Sequence, residues 1–511
     1  MKRKLTSILA FVLSLVLLLS FVSCNISTGD NGSTAASTTQ GSATAGTTAG
    51  TTAASSIVKI DFYSINDLHG TVKDTDENSG IGKITTFLNS KAERQNAIFV
   101  SAGDMWQGGV ESNNTKGKIV TDWMNQMGFS AMALGNHEFD WGTDKIKTNV
   151  ELAEFPILAI NVYERDTNER ASWCQPSVMV EKEGIKIGII GAVGDVYSSI
   201  TSSRVKDVYF KVDNELTALV KEESTKLREE GADFILYLLH DGYSTRTTNT
   251  STPVADSKLG HYDTSLSDGY VDLVFEGHTH TQNMYIDKYG VYHLQGGGYN
   301  DRISHVQVTF DKDKDDFRIT TNELIDTRTL LYFEMDANAL ALYDKYADEI
   351  GNAYGTLGYN AQKRNSTYMS QLVADLYLQA GLEKWGDEYD IVLGGGKINC
   401  RSPYNLYQGD VCYADLMSLF PFDNNIVLCS IKGYYLKSRY LKNDSYYISL
   451  SDFGIENKDN IDDNATYYVI VDSYGVDYTW NNLTVVDVLD PDGIYAVDLL
   501  AKYAENGGFE N

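Results

Sequence analysis

The sequence predicts an α/β fold in which polar side chains gather at the ends of buried strands. Two observations predict it. From Ile57 onward, short apolar runs alternate with amphipathic segments, the pattern of strands followed by helices. Five polar signatures then each close one of those runs: Asp67-Leu68-His69, Gly103-Asp104, Gly135-Asn136-His137-Glu138, His240 and Gly277-His278-Thr279-His280. The chain holds eight histidines, and five of them fall inside these signatures, so their placement is not compositional chance.

Taken in order, residues 1–24 are a targeting segment and not part of the fold. Lys2, Arg3 and Lys4 precede the apolar stretch Leu5 to Val22, which ends at Phe21-Val22-Ser23-Cys24. That ending resembles a bacterial lipobox, with Phe21 where Leu is more usual, and it makes Cys24 the expected lipidation site. Residues 25–56 are rich in Ser, Thr, Gly and Ala and are expected to form a flexible tether. Residues 57–330 carry the runs Ile57–Ile65, Ala97–Val100, Ala131–Leu134, Phe155–Ile160, Ile185–Val193, Phe234–Leu239, Val271–Phe275 and Ile303–Phe310. Between them, Ile119, Val120, Trp123, Met124 and Met127 fall at helical spacing, with Gly128 as the C-cap. Asp336 is an expected N-cap for one connecting helix within 331–354, its face marked by Ala339, Leu340, Tyr343, Tyr346, Ala347 and Ile350. Residues 355–511 are a second domain, opening with a helical stretch from Thr367 to Leu382 and continuing into Ile391-Val392-Leu393-Gly394-Gly395-Gly396.

The 511 residues are 42% hydrophobic and 22% charged, a globular composition long enough for more than one core. The net charge of −28 argues against a binder of nucleic-acid polymers or anionic lipid surfaces. Small anions remain compatible, because bound divalent cations can invert the local field. Beyond Cys24, four cysteines remain: Cys174, Cys400, Cys412 and Cys429. Three pairings are possible if all are bridged, whereas Cys429 in Ile426-Val427-Leu428-Cys429 fits a buried, reduced thiol. No CxxC spacing occurs.

The signatures carry the chemistry. Asp67 and His69 stand at i and i+2, as do His278 and His280; on an extended segment each pair points to one side and can grip one cation. Asp104 follows a glycine that admits close backbone approach, and its two oxygens can bridge two metals. Asn136 offers a neutral oxygen, and His240 ends its own strand. Such a donor set suits a two-metal hydrolytic centre at the carboxyl ends of strands. His261, His293 and His305 lie outside the signatures and are expected to be ordinary.

The order of these signatures resembles the calcineurin-like metallophosphoesterases. The fuller string Gly135-Asn136-His137-Glu138-Phe139-Asp140-Trp141-Gly142 is similar to the 5′-nucleotidase, UDP-sugar hydrolase and 2′,3′-cyclic phosphodiesterase family. The resemblance implies a four-layer α-β-β-α sandwich plus a smaller mixed α/β C-terminal substrate-binding domain. It implies two divalent metal ions, with Mn, Zn, Mg, Ca or Co all compatible. Asp67, His69, Asp104 and His280 would hold one, and Asp104, Asn136, His240 and His278 the other. It makes His137 and Asp140 the catalytic pair, the imidazole serving the transition state and the carboxylate orienting it.

In the second domain, Gly394-Gly395-Gly396 followed by Arg401, and Phe420-Pro421-Phe422-Asp423, resemble the family's substrate-binding segments. By that resemblance Arg401 contacts phosphate or nucleotide, with Asn399 beside it, Phe422 stacks on a base, and Tyr474 or Tyr478 supplies a second aromatic. Two departures stand: Lys397-Ile398-Asn399-Cys400 separates the glycines from Arg401, and Leu393 replaces a common asparagine. The expected function is release of phosphate from 5′-nucleotides outside the cytoplasm, by a protein lipid-anchored to the bacterial cell membrane. A cyclic phosphodiesterase, a UDP-sugar hydrolase, or a binding lipoprotein on the same fold are the alternatives. The expected partners are a small-molecule nucleotide and, through the lipid anchor only, a membrane.

Overall fold

The computed structural model describes residues 56–75, 78–91, 94–398, 400–401, 405–439, 446–452, 458–490 and 493–510. The leader, the tether before Ser56, Cys24 and Asn399 lie outside the described residues. Ser55 to Asn511 is one compact unit.

Two six-stranded sheets face one another. In the first, the order is Asp316–Asp326, Arg302–Asp311, Ile57–Ser64, Ala97–Ser101, Ala131–Ala133 and Ile157–Leu158. The last four run parallel, while Arg302–Asp311 pairs antiparallel with Ile57–Ser64, Phe62 opposite Val306. In the second, the order is Gln282–Ile286, Tyr292–Gly296, Leu273–Glu276, Phe234–His240, Ile185–Val193 and Ser177–Lys182. Their facing sides share a core that includes Ile60, Phe62, Ile98 and Val100 from one sheet and Ile187, Ile189, Phe234, Leu236 and Phe275 from the other. Period-2 alternation sends the neighbouring side chains outward. Tyr63 and Phe99 join Ile84, Trp123 and Met124 of the helices Ile81–Asn89 and Lys118–Met127, and Ile190, Ile235 and Tyr237 meet Val220 and Leu227 of the helix Asp213–Glu229. The result is a four-layer α-β-β-α arrangement. Lys118–Met127 ends where expected, with Gly128 at φ +68°.

A third, five-stranded sheet follows, ordered Tyr447–Leu450, Ile391–Gly396, Thr466–Asp472, Ile426–Lys432 and Thr484–Val488. The helix Ser366–Trp385 packs on it, capped by the Asn365 side chain accepting from the Tyr368 N–H at 2.9 Å. The glycine run lies inside a buried strand, and its role there is close packing: a Cβ at Gly394 would stand 2.5 Å from the Leu378 backbone nitrogen.

Asp336 caps its helix as expected, accepting from Asn338 N at 2.9 Å and Ala339 N at 3.1 Å. That helix is not continuous, however. Ala337–Lys345 and Ala347–Ile350 are separate, broken at Tyr346, whose hydroxyl donates to Asp122 at 2.6 Å. Leu342, not the exposed Leu340, faces inward. The hairpin strands Gln282–Ile286 and Tyr292–Gly296 and the edge strands Ser177–Lys182 and Asp316–Asp326 lack a strong apolar run, and sequence reasoning passed over them. Cys174, Cys400, Cys412 and Cys429 are all free thiols. Among the described residues no helix is long and apolar enough to cross a membrane.

Candidate metal centre and cleft

The five signatures meet at one end of the paired sheets, but not on extended backbone. Asp67 (φ +50°), His69 (+49°), Asp104 (+55°), His278 (+74°) and His280 (+51°) all occupy the left-handed region. The expectation that i, i+2 donors share the face of a pleat is therefore corrected. Left-handed turns fold the chain back over the strand ends, and that curl, not the pleat, brings each pair together. Such backbone is costly for residues with a Cβ and persists only where the surroundings over-determine it.

Hydrogen bonds supply that determination. The buried Glu138 carboxylate accepts from the backbone N–H groups of Asp104 (2.9 Å), Met105 (2.8 Å), Trp106 (3.2 Å) and Gly135 (2.7 Å), tying two signatures together. Burial, and then the charge of Asp104, push its pKa up to about 7. Asn66 donates to Asp67 Oδ2 at 2.6 Å, and the His278 N–H donates to Asp67 Oδ1 at 3.0 Å. A Cβ at Gly103 would stand 2.6 Å from Gly135 N and 2.8 Å from His240 Nδ1, so only glycine lets these segments touch.

The donors converge as two groups sharing one residue. Ligand atoms of Asp67, His69, Asp104 and His280 all lie within 4.8 Å of one another, as do those of Asp104, His240 and His278. His69 Nδ1 donates to Gln107 O at 2.9 Å and His240 Nδ1 to Ala102 O at 2.7 Å, which turns both Nε2 lone pairs inward. His69 Nε2 and His280 Nε2 approach to 2.9 Å. Asp104 Oδ1 accepts from the His137 N–H at 2.8 Å. Its buried Oδ2 makes no hydrogen bond and stands 3.1 Å from His240 Nε2 and 3.9 Å from His69 Nε2. Asn136 Oδ1 faces His278 Nδ1 at 2.9 Å and His240 Nε2 at 3.2 Å. Burial, and then the charge of His240, which Asp104 holds protonated against its own burial with a pKa of about 10, bring the His278 pKa down to about 4; a divalent cation at the centre would take the place of that His240 proton. An orphaned carboxylate oxygen among inward-facing imidazole lone pairs fits a divalent cation.

His137 stays out of this cluster. Its Nδ1 lies 2.8 Å from Asp140 Oδ2, and its Nε2 faces a cleft of about 440 Å³. Burial opposes its charge, but Asp140 and Asp104 outweigh burial and raise its pKa. Across the cleft, Arg401 Nη2 comes within 3.2 Å of His137 Nε2, while its buried Nε has no partner. The Phe422 ring stacks on His137 at 5.7 Å and 26°, beneath the Arg401 guanidinium at 4.9 Å. Tyr474 also lines the cleft, against Tyr478 at 5.1 Å; Tyr478 itself is engaged with the carbonyls of Tyr197 and Ile200. The resemblance implied that the Phe422 ring would be free to stack on a base; here it lies on the catalytic candidate.

Sequence reasoning did not assign Glu138, Asn66, Arg204 or Asp472. Arg204 and Asp472 line the same cleft. Only Glu138 left a signal, as an acidic residue inside a signature.

With this geometry in view, a family model for the calcineurin-like phosphoesterases matches residues 60–282, the stretch that carries all seven donors. Residues 60–282 form a calcineurin-like phosphoesterase domain. Protein UshA of Yersinia enterocolitica is 24% identical over 66% of this chain and 66% of its own length, so the match spans just under two thirds of that relative. A 5′-nucleotidase of Diplobatis ommata is 26% identical over 76% of this chain and 73% of its own. The crystal structure of a Thermus thermophilus 5′-nucleotidase precursor superposes with a TM-score of 0.64 at 18% identity, covering 88% of this chain and 96% of that one. At that identity the likeness shows the fold, a metallophosphoesterase domain followed by a second α/β domain. The phosphoesterase domain and its nucleotidase relatives indicate a phosphoric monoester hydrolase.

Proposed function

We propose that the chain is a two-metal 5′-nucleotidase acting outside the cytoplasm, with catalysis in residues 57–330, substrate selection in 355–511 and 331–354 joining them. The observation that carries this is the pair of donor groups sharing Asp104, set against a cleft whose other wall presents Arg401 and aromatic rings. Asp67, His69, Asp104 and His280 would hold one divalent ion, and Asp104, Asn136, His240 and His278 a second. Such ions, when bound, lower the pKa of water and neutralise charge on phosphoryl oxygens.

The remaining work falls to the chain's own groups. Asp140 accepts from His137 Nδ1 and, with Asp104, favours the imidazolium, whose Nε2–H points into the cleft and can give a hydrogen bond or proton to the phosphoryl or leaving oxygen. Arg401 brings a permanent positive charge to the same point from the opposite wall. Phe422 and Tyr474 offer faces for a nucleobase once Phe422 leaves His137. Gln107 and Asn113 donate to Pro421 O at 2.8 and 3.0 Å, and Lys116 pairs with Asp423 at 2.7 Å, which holds the second wall over the first. Cys24 would carry the lipid that retains the enzyme at the membrane.

The test is phosphate release by the purified chain with Mn²⁺, Zn²⁺, Mg²⁺, Ca²⁺ or Co²⁺, offered AMP, UMP, UDP-glucose, 2′,3′-cyclic AMP and an aryl phosphate. Preferred turnover of AMP or UMP supports the reading; no metal-dependent turnover on any of them sinks it. Radiolabelled palmitate incorporated by the wild type and lost in Cys24→Ser would support the anchor.

A further inference from the structure

Behind the first donor group lies a segment that neither motif nor catalysis accounts for, residues 296–300. Tyr299 (φ +54°) and Asn300 (φ +62°) are consecutive non-glycine residues in the left-handed region, just after Gly297 at +85°. A turn under no other demand would place glycine there. The segment is wired to the one that carries Asp67 and His69. Asn66 donates to Gly297 O at 2.8 Å and accepts from the Gly296 N–H at 2.9 Å. The Tyr299 N–H donates to Asp67 O at 2.7 Å, and the Asn300 side chain donates to Thr71 O at 2.8 Å and Ser79 O at 3.1 Å.

What this strained backbone presents is the Tyr299 ring. It stacks on His69 at 5.0 Å and 27°, and meets His280 edge-on at 5.2 Å and 86°. Next to it, a Cβ at Gly298 would come within 3.0 Å of His280 Cγ, so the bare glycine gives that ring its seat. His280 needs such support, because its side chain is 27% exposed whereas His69 and Asp67 are buried.

We propose that Tyr299 is a positioning residue of the first metal site, its ring holding the imidazoles of His69 and His280 so that both Nε2 atoms aim at one point. Stacking also favours ligation electronically: an imidazole that donates its lone pair to a cation becomes electron-poor, and a phenol face is an attractive neighbour for it. Supporting groups around ligating histidines typically change metal affinity by about 10–100-fold.

The experiment is calorimetric titration of the full metal-stripped chain with Mn²⁺, without substrate, alongside the visible spectrum of the Co²⁺-loaded chain. It reads metal binding alone, so its outcome is independent of whether nucleotides are hydrolysed. Tyr299→Leu should weaken one Mn²⁺ site by roughly 10–100-fold while the other keeps its affinity, and should alter the Co²⁺ bands. Tyr299→Phe keeps the ring and should restore both. Tyr299→Gly is the discriminating variant, because glycine accepts the left-handed backbone without strain. It should melt no lower than the wild type without metal, yet bind the first Mn²⁺ as weakly as the Leu variant. Wild-type affinity at both sites in Tyr299→Gly would overturn the proposal and leave the ring as a turn filler. Loss of both sites together with a lowered melting temperature in Tyr299→Gly would also overturn it, in favour of a general structural role.

Discussion

The two walls of the cleft are built from different physics. One is a cluster of seven donors at strand ends, five of them on left-handed backbone, tied by Glu138 and Asn66 and closed to solvent except at His278 and His280. The other is Arg401, Phe422, Tyr474 and Asp472, drawn from the loops around Arg401 and Phe422 and from the end of the strand Thr466–Asp472. Phe422 is set between Pro421 and Asp423, which Gln107, Asn113 and Lys116 hold. The first wall has little freedom at its buried ligands, whose backbone and rings are held by hydrogen bonds between segments. On the second, the Phe422 ring meets His137 by stacking alone, and in the proposed reading a nucleobase takes that place. Fixed geometry suits bond cleavage, and an adaptable wall suits selection among organic groups.

That contrast breaks most sharply at Asp104. Asp104→Asn should remove more turnover than any other single change and reduce Mn²⁺ stoichiometry, since both donor groups depend on it; calorimetry and phosphate release check this together. His137→Ala should come next, costing on the order of 10²–10³-fold in kcat while leaving metal stoichiometry intact. The second wall should answer in a different parameter. Phe422→Ala should raise KM for AMP by roughly 5–100-fold, the scale of a lost base–aromatic stack, and leave KM for a phosphate ester without an aromatic ring, such as glycerol phosphate, nearly unchanged. Equal losses on both substrates would erase the division of labour between the walls.

The smallest effect concerns Asp472, whose pKa burial raises to about 6. A carboxyl raised on folding binds its proton more tightly in the native state. Its contribution to stability is present below the ordinary carboxyl range and is lost as pH climbs through about 6. Asp472→Asn should therefore melt like the wild type near pH 3 and higher by roughly 1–3 °C at pH 8, followed by calorimetric scans.

The difference between the walls also governs how much was legible in the sequence. The donors stood out because metal ligation permits few side chains, and each closes an apolar run that is a strand in the structure. The helix Lys118–Met127 was equally plain, from its apolar spacing and Gly128. The left-handed backbone of Asp67, His69, His278 and His280 was not, because nothing in those residue types demands it; hydrogen bonds between segments accompany it, the Asp67 N–H donating to Gly103 O, the His69 N–H to Asp104 O and the His278 N–H to the Asp67 carboxylate. Nor was the break at Tyr346, where a contact with Asp122 on a distant helix overrides a continuous helical pattern. In the second domain the glycines flagged as a substrate segment pack a helix against a sheet, while Asp472 reaches the cleft from the end of the strand Thr466–Asp472 and Arg204 from a turn of the first domain that carries no motif.

The most direct test of the central claim is the number of metal ions the chain holds, measured by Mn²⁺ titration of the metal-stripped wild type and Asp104→Asn side by side. The account predicts two ions per wild-type chain and the weakening of both in the variant, with phosphate release lost in parallel. A wild type that hydrolyses AMP with one ion or none, or an Asp104→Asn variant that keeps two tight sites, would contradict it.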